Sequence, residues 1–368
     1  MSKLAEIIAQ DMGNRGAMCF ERFMELALYC PVYGYYEKET DTAGRKGDFF
    51  TSVSVGNLFG QLLAWQFAEW LTEGGNQDTA VEEFPCRLAE AGAHDGRLAA
   101  DILTWFRQWR PDIFKGLEYA IIEPSASRQM RQARTLAEFS GRVRWVAAPN
   151  ELLCGTRVLF ANELLDAFPV HRVGWDAGAR TWFEWGVALE RERFVWTRMP
   201  LPRALAETSP LPLAHELAEV LPDGFTTEIC PQAGNWWREA AVTLAGGKLV
   251  TMDYGFAAEE LLAPHRSGGT LRAYHRHHLA SDPLALPGDQ DLTAHVNFSA
   301  IRSAGEAAGL ATEAFVTQGK FLTGIAERVW SEPGKFEKWT VAHTRQFQTL
   351  THPEHLGRAF QVLVQSRS

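Results

Sequence analysis

The stretch Arg87-Leu-Ala-Glu-Ala-Gly-Ala-His-Asp-Gly96 decides the fold of this chain of 368 residues. It predicts a short strand, a tight turn that contains Gly92 and Gly96, and a helix that begins near Leu98. Glycine adopts a positive φ easily and lets a ligand approach the backbone closely. Because α/β sheets bind nucleotides where a helix begins after a strand, this stretch indicates a nucleoside-containing cofactor.

Strands and helices alternate along the chain from about residue 85. The predicted strands are Cys86–Ala91, Tyr119–Glu123, Val143–Ala147 and Val158–Asn162, and the helices between them are Leu98–Trp109 and Ser127–Phe139. This rhythm predicts a parallel sheet with right-handed crossovers. The pattern resumes later, before helical C-terminal segments, with strand Thr226–Cys230, helix Trp236–Leu244, strand Lys248–Asp253, helix Ser299–Ala308 and strand Ala311–Thr317.

Two segments depart from this pattern. Apolar residues at helical spacing, such as Leu4, Ile7 and Ile8, predict N-terminal helices. Aromatic and polar residues alternate from Val170 to Met199, which predicts antiparallel hairpins, and the Pro-rich run at 200–212 is predicted to be a loop. We therefore predict a helical segment with a cofactor-capping loop over residues 1–84. A core covers residues 85–368, with a β-rich substrate module inserted at about 170–225.

The composition indicates a globular protein of the cytoplasm. The chain is 46% hydrophobic and has a net charge of −9, which argues against a nucleic-acid partner. Five scattered cysteines form neither a disulfide framework nor a zinc motif, so we expect a reducing compartment. The N-terminus shows no signal or transit peptide, which favours a bacterial cytoplasm. The most apolar window, Val53–Leu71, contains polar residues and predicts a buried helix instead of a membrane span.

The turn argues against two common nucleotide motifs. A dinucleotide-binding turn needs G-x-G-x-x-G, but His94 occupies the place of the middle glycine, and a phosphate-binding P-loop is absent. The pattern E-x-G-x-x-x-G fits S-adenosylmethionine better, because this ligand has no phosphates. Glu90 would hold its amino-acid end through water or the backbone. Glu123 would accept the ribose hydroxyls, and the alternative interpretation is a solvated acid at the end of a strand.

Nine motifs carry a family resemblance: FMELALYCPVYGYY (Phe23–Tyr36), GDFFTS (Gly47–Ser52), EAGAHDGRLAADIL (Glu90–Leu103), ANELLDAFPVHR (Ala161–Arg172), EICPQAGNWW (Glu228–Trp237), DYG (Asp253–Gly255), GTLRAYHRHH (Gly269–His278), DLTAHVNF (Asp291–Phe298) and TQGKFL (Thr317–Leu322). In this order they resemble the MidA family of S-adenosylmethionine-dependent methyltransferases, which includes a mitochondrial complex I assembly factor that methylates arginine. The resemblance implies a seven-stranded Rossmann-like α/β core, S-adenosyl-L-methionine as cofactor, and methyl transfer to a protein arginine.

The chain departs from the family pattern at two positions. The family's turn usually reads G-P-G-x-G, and here His94 replaces the central glycine. Where the family motif reads H-V-D-F, this chain has Asn297 in place of the aspartate. The replacement removes a negative charge that could recognise a cationic substrate. Arginine specificity therefore does not follow from the resemblance alone.

The segment Asn162-Glu-Leu-Leu-Asp166 supplies candidate catalytic groups at the carboxyl edge of the sheet. Carboxylates suit a guanidinium acceptor, whose pKa is above about 12, because they orient it by paired hydrogen bonds and accept its proton. We expect Asn162 and Glu163 to face the reacting centre, and Asp166 shares a face with Glu163 if the segment is helical. The alternative interpretation is an N-cap with first-turn acids of a short helix.

The loop before the first long helix is predicted to contact the cofactor through Gly47, Asp48 and Thr51. The alternative interpretation is an ordinary turn in which Thr51 or Ser52 caps the next helix. We predict that the acceptor is bound by polar residues of the later motifs, namely Arg272, Tyr274, His295 and Asn297. The nearby histidines at 275, 277 and 278 lack zinc-ligand spacing, and we predict no metal.

The sequence thus predicts a methyltransferase that acts on a protein arginine side chain. Methylation of a small molecule at oxygen or nitrogen, and a cofactor-binding assembly chaperone with little catalysis, stay open as alternatives. We expect a protein substrate or a small-molecule acceptor, no membrane insertion, and a possible homodimer.

Overall fold

The structure is a computed structural model that describes residues 1–38, 51–72, 86–203, 205, 221–276, 278–332 and 334–367. The chain divides into two units. Unit I consists of Met1–Phe49, Leu165–Asn235 and Phe256–Ile301, and unit II consists of Phe50–Leu164, Trp236–Gly255 and Arg302–Ser368. This division groups the N-terminal helices with the hairpin segment, whereas the sequence predicts a boundary after residue 84.

The described strands are, in chain order, β1 (Ala17–Cys19), β2 (Cys86–Ala91), β3 (Leu117–Ile122), β4 (Val143–Val146), β5 (Thr156–Asn162), β6 (His171–Asp176), β7 (Thr181–Glu190), β8 (Arg193–Pro200), β9 (Thr226–Ile229), β10 (Gly247–Phe256), β11 (Arg272–His275), β12 (His278–Leu279), β13 (Asp291–Thr293), β14 (Val296–Asn297), β15 (Ala311–Thr317) and β16 (Phe360–Arg367). The described α-helices are α1 (Lys3–Met12), α2 (Phe20–Tyr29), α3 (Ser52–Val55), α4 (Leu58–Thr72), α5 (Arg97–Trp109), α6 (Pro111–Gly116), α7 (Ala126–Thr135), α8 (Pro231–Thr243), α9 (Ala258–Leu261), α10 (Phe298–Ala307), α11 (Gln318–Ser331), α12 (Val341–Thr351) and α13 (Leu356–Ala359).

The main sheet of unit II has the strand order β15-β16-β10-β5-β2-β3-β4. Its pairs β3–β4, β2–β3, β2–β5 and β5–β10 are parallel, whereas β16 is antiparallel to both β10 and β15. Leu88, Phe160 and Val250 on the inner strands are fully buried, as expected for parallel strands covered on both faces. Because the carboxyl ends of parallel strands meet at one edge, the residues that follow β2, β3, β5 and β10 share that edge.

The four strands predicted between residues 86 and 162 form a parallel sheet with their connecting helices, and Lys248–Asp253 joins it within β10. Two strands that were predicted to continue this pattern differ, because β9 pairs antiparallel with β6 in unit I and β15 pairs antiparallel with β16. The apolar window is the buried helix α4, which packs against α5. The C-terminal segments differ from the prediction, because α11, α12 and α13 are followed by the strand β16. The consecutive apolar residues Val362, Leu363 and Val364 show no period of two, so the sequence does not distinguish a strand from a buried helix here. The strand is evident from its pairing with β10 on one side and β15 on the other.

Unit I contains the antiparallel hairpins that the sequence predicts between residues 170 and 199. Strand β7 pairs with β8 along one side, and β6 and the short β1 follow one another along its other side. Strand β9 pairs with β6, and β11 lies between β12 and β13 in a separate small sheet. Buried side chains of α2 and the hairpins, including Phe20, Phe23, Val187 and Phe194, form the core of this unit. Among the described helices, none is long and apolar enough to cross a membrane.

Candidate functional site

The turn after β2 has three residues in the left-handed backbone region. Gly92, His94 and Gly96 have φ angles of 71°, 47° and 85°. This conformation costs a residue with a Cβ about 1 kcal/mol, so His94 holds a strained position. A Cβ atom at Gly92 would lie 2.8 Å from Cδ1 of Leu164, so a side chain there would require Leu164, in the segment that follows β5, to shift. The turn and that segment are therefore neighbours at the sheet edge.

Glu123 is held at the end of β3 by protein donors. Its carboxylate accepts hydrogen bonds from the Ser125 amide at 3.0 Å and from Nε2 of Gln132 at 3.2 Å, and it pairs with Arg128 at 3.0 Å. The side chain is only 2% exposed, which contradicts the alternative of a solvated acid. Gln132 also donates to the carbonyl of His94 at 3.2 Å, and it thereby links Glu123 to the turn after β2.

The Glu90 side chain is buried beside Tyr119 of the neighbouring strand β3. It is 2% exposed, and the Tyr119 hydroxyl donates a hydrogen bond to its Oε2 at 2.6 Å. Burial raises the pKa of Glu90 to about 8, although the hydrogen bond from Tyr119 opposes this shift. The carboxyl group of Glu90 is therefore protonated at neutral pH, and its backbone is the part that remains near the turn.

Asn162 and Glu163 lie together at the end of β5. Nδ2 of Asn162 donates to Oε1 of Glu163 at 3.1 Å, and the Ser52 amide donates to the same oxygen at 3.3 Å. Oδ1 of Asn162 is buried and accepts no hydrogen bond from the residues that the structure describes. A buried acceptor without a donor is costly, so this oxygen is suited to accept a hydrogen bond from a ligand.

The backbone of Glu163 is fixed by the neighbouring strand β10. Glu163 has a φ of 52°, and its amide donates to the Met252 carbonyl at 2.9 Å. The next amide, of Leu164, donates to Oδ2 of the fully buried Asp253 at 3.1 Å. Strain at a non-glycine residue persists only where its surroundings impose it. Here Met252 and Asp253, in the second half of β10, impose the conformation that directs the Glu163 carboxylate.

A helix that would give Glu163 and Asp166 a common face does not form. The left-handed residue Glu163 interrupts the segment, and a single 3₁₀ turn covers only Leu165–Ala167. This turn also contradicts the alternative in which Asn162 and Glu163 begin a helix. Asp166 belongs to unit I and is 8% exposed, and its carbonyl accepts a hydrogen bond from the Ala294 amide at 2.9 Å.

Thr51 is the N-cap of α3. Its side chain accepts from the Ser54 amide, and the Ser54 hydroxyl accepts from the Thr51 amide, as in a capping box. The alternative of a helix cap is thus confirmed for Thr51, while Ser52 contacts Glu163 and donates its hydroxyl to Gln318 at 3.1 Å. The predicted cofactor contacts at Gly47 and Asp48 lie outside the described residues.

The predicted acceptor residues all belong to unit I, where His295 lies beside Phe256. Its ring packs edge-on against Phe256 with the ring centres 4.9 Å apart. Burial, together with the positive charges of Arg272 and Arg266, lowers its pKa to about 4, so the ring is neutral at pH 7. Nδ1 of His295 is buried without a hydrogen-bond partner among the described residues.

The other three predicted acceptor residues have different environments. Arg272 is exposed on β11, and Tyr274 lies opposite Asp291 across the β11–β13 pair. Oδ1 of Asn297 accepts a hydrogen bond from the Ala300 amide at 3.1 Å, which is the N-cap interaction of α10. Asparagine and aspartate cap helices about equally well, so this departure from the family motif preserves the structural role of the position.

Three residues of the site at the edge of the unit II sheet had no predicted chemical role. Ser52 and Asp253 lie within the motifs GDFFTS and DYG, so the sequence indicated that both positions matter. Their hydrogen bonds to Glu163 and Leu164 were not predictable from the motifs. Gln132 had no signal, because a glutamine inside a polar helical segment usually faces solvent. Its role depends on two groups that come from different strands, His94 and Glu123.

Comparison with known families matches residues 62–316 to S-adenosyl-L-methionine-dependent methyltransferases. The chain belongs to this methyltransferase family. A crystal structure from Burkholderia thailandensis with bound S-adenosyl-homocysteine is similar, with 33% identity, a TM-score of 0.82, and coverage of 99% of this chain and 92% of that one. Two curated relatives are named protein arginine methyltransferase NDUFAF7, mitochondrial, from Danio rerio, and its homolog from Drosophila melanogaster. They are 27% and 28% identical, over 96% and 98% of this chain and 84% of each relative.

These comparisons confirm the predicted α/β methyltransferase fold, the enzyme class and the cofactor S-adenosyl-L-methionine. The described residues of this methyltransferase fit that cofactor in two respects. Gly92 carries no side chain that would cover the backbone of the turn, and Oδ1 of Asn162 is an unused buried acceptor at the same sheet edge.

Proposed function

We propose that this methyltransferase modifies an arginine side chain of a protein substrate. The observation that carries the proposal is the Glu163 carboxylate, oriented by Asn162 and Ser52 at the end of β5. Its two similar relatives from Danio rerio and Drosophila melanogaster are named protein arginine methyltransferases, which supports the same acceptor class.

The chemistry of a guanidinium explains why a fixed carboxylate is needed. S-adenosylmethionine supplies an activated methyl group on its sulfonium. Arginine is charged at neutral pH because its pKa is above about 12, so its nitrogen becomes a good acceptor only if the group is oriented and can lose a proton. Glu163 would bind the planar guanidinium by charge-assisted hydrogen bonds and accept the proton that is released. Oδ1 of Asn162 would accept a further hydrogen bond from the substrate or the cofactor.

On the cofactor side, we propose roles for the turn and for the end of β3. The backbone of Glu90, Gly92, His94 and Gly96 would contact the amino-acid end of the cofactor, and Glu123 would accept the ribose hydroxyls. Arg128 and Gln132 orient the Glu123 carboxylate for that purpose. Gly47, Asp48 and Thr51 are proposed to close over the cofactor.

The proposal extends to the finer architecture. The strand order of unit II supports a seven-stranded methyltransferase core with one antiparallel strand, β16. The hairpins of β6, β7 and β8 would form the inserted module at about 170–225. We propose that Asp166 has a catalytic role, and that the acceptor is recognised by Arg272, Tyr274, His295 and Asn297.

A small-molecule acceptor is the second candidate. Arg272 and Arg266 place positive charge around the neutral ring of His295. Such charge suits an acceptor that carries a carboxylate or a phosphate better than it suits a guanidinium. This observation favours the small-molecule alternative over the assembly chaperone.

None of the five cysteines, all of which the structure describes, forms a disulfide, which supports the proposal of a reducing, cytoplasmic compartment.

The decisive test is transfer of a labelled methyl group by the variant Glu163→Gln. Loss of the carboxylate should reduce transfer to proteins of a cell extract at least about 100-fold. Cofactor affinity, measured by calorimetry, should stay within about threefold, since threefold is less than 1 kcal/mol. The matched control is Glu118→Gln, because Glu118 is a partly exposed acid near the start of β3 that pairs with Arg87, away from the carboxyl ends of the strands.

Three outcomes would contradict the proposal. Labelled small molecules without labelled arginine would favour the second candidate. Cofactor binding without any labelled acceptor would favour the chaperone. Loss of cofactor binding in Glu163→Gln would show that Glu163 serves the cofactor and not the acceptor.

A further inference from the structure

Three side chains with metal-ligating atoms meet on one sheet of unit I. Cys19 on β1 lies opposite Gly186 of β7, and Glu184 is two residues before Gly186, so both side chains are on the same face of the sheet. His171 begins β6, whose next residue, Arg172, lies opposite Trp185. The ligand atoms of Cys19, His171 and Glu184 all lie within 4.8 Å of one another.

We propose that Cys19, His171 and Glu184 bind a zinc ion. A thiolate, an imidazole and a carboxylate are the three ligand types that Zn²⁺ takes in proteins, with bonds of about 2.0 to 2.3 Å. Donor atoms around such an ion are separated by roughly 3 to 4 Å. Nδ1 of His171 and Oε1 of Glu184 are 2.6 Å apart, so this pair would open slightly when the ion enters.

A fourth ligand is available close to the cluster. Oε2 of Glu21 is 3.8 Å from Sγ of Cys19, and this acid follows Cys19 at the start of α2. Structural zinc sites have four protein ligands, whereas a site with three ligands takes water as the fourth. Either arrangement is compatible with the three strands that hold the other ligands.

Charge balance supports a divalent cation at this position. The Glu184 side chain is 1% exposed, and a buried carboxylate needs a compensating charge. When the ion binds, Cys19 releases its proton to solvent, and its thiolate and the Glu184 carboxylate supply two negative charges that balance Zn²⁺. Strands β1 and β6 both pair with β7, so an ion at the cluster would cross-link their neighbouring ends.

The test uses the full-length chain, freed of metal by a chelator and titrated with Co²⁺. Thiolate ligation should produce a sulfur-to-cobalt charge-transfer band that saturates at one equivalent. Cys19→Ser should abolish the band, and Zn²⁺ affinity measured by competition with a chelating dye should fall at least about tenfold, the usual cost of losing a metal-site partner. Cys154→Ser is the matched control, because Cys154 is an exposed thiol of unit II.

The variants His171→Gln and Glu184→Gln keep the proposal testable even if Cys19→Ser does not fold. Zn²⁺ should raise the melting temperature of the wild type and of Cys154→Ser, but not that of His171→Gln or Glu184→Gln. The proposal is overturned if the wild type binds no stoichiometric Co²⁺, or if folded Cys19→Ser retains the charge-transfer band. In either case the cluster is a His171–Glu184 ion pair beside a free thiol.

Discussion

His94 shows how a single residue of unusual type is accommodated in a strained turn. Its φ of 47° lies in the region that glycine favours, where histidine, like asparagine and aspartate, is better tolerated than most residues. The ring lies 3.8 Å from the Asp95 carboxylate. Burial alone would raise the pKa of Asp95, but His94 and Arg97 hold it well below its ordinary value. The side chain thus compensates part of the backbone strain.

The strain at His94 can be measured with two substitutions. His94→Ala keeps the unfavourable φ and loses the contact with Asp95, whereas His94→Gly loses the same contact but relieves the strain. We expect His94→Gly to be more stable than His94→Ala by about 1 kcal/mol. Urea unfolding of both variants measures the difference. Equal stabilities would mean that the turn relaxes and carries no strain.

Glu90 should make stability depend on pH. In the unfolded chain its pKa is 4.5, whereas in the folded protein burial raises it to about 8. Between these values the folded state binds one more proton than the unfolded state, so this group lowers stability as the pH rises from about 4.5 to about 8. Glu90→Gln should flatten that decline, because glutamine does not ionise.

The measurement for Glu90 is urea unfolding across this pH range, with Glu118→Gln as the control. The decline attributable to Glu90 is at most about 1.4 kcal/mol per pH unit. Replacement of the partly exposed acid Glu118 should leave the decline between about pH 4.5 and 8 in place. A profile of Glu90→Gln that parallels the wild type would show that Glu90 is already ionised near neutral pH.

At the scale of single elements, capping explains a departure that sequence comparison left open. Asn297 replaces the family's acid, and it is the N-cap of α10. We expect Asn297→Asp to change the free energy of unfolding by less than about 0.5 kcal/mol, and Asn297→Ala to cost about 1 kcal/mol. Thermal and urea unfolding of both variants would check this.

The same pair of variants also separates capping from recognition of the acceptor. If Asn297 serves only the helix, methyl transfer by Asn297→Asp should match the wild type. A large gain in transfer with unchanged stability would instead identify the acid of the family motif as a substrate contact.

Strand β16 is the element on which the integrity of unit II should depend most. It lies between β10 and β15, and Val362 and Leu363 are fully buried. Val362→Asp would bury a charge among apolar neighbours and should prevent cooperative unfolding of this unit. The neighbouring Gln361 is only partly buried, so Gln361→Asp is the control and should cost less than about 1 kcal/mol. Circular dichroism during thermal unfolding distinguishes them. A stable Val362→Asp variant would contradict this role.

For the whole molecule, local sequence was sufficient to predict the parallel strands, their helices and the edge at which the site residues lie. Hydrophobic periodicity and a glycine turn are set by residues that are close in the chain. The same holds for the position of Glu123 and Asn162 at the ends of strands. The aromatic alternation between residues 170 and 199 likewise predicted hairpins, because a period of two is a local property of strands.

Only the tertiary structure shows the features that depend on residues far apart in the chain. The pairing of β16, the contact of Gln132 with both His94 and Glu123, and the Ser52–Glu163 hydrogen bond are of this kind. The cluster of Cys19, His171 and Glu184 is another, since no spacing motif links these positions. Side-chain burial also changes the chemistry of Glu90, whose carboxyl faces Tyr119. Folding decides such contacts because one local pattern is compatible with many long-range partners, and packing selects among them.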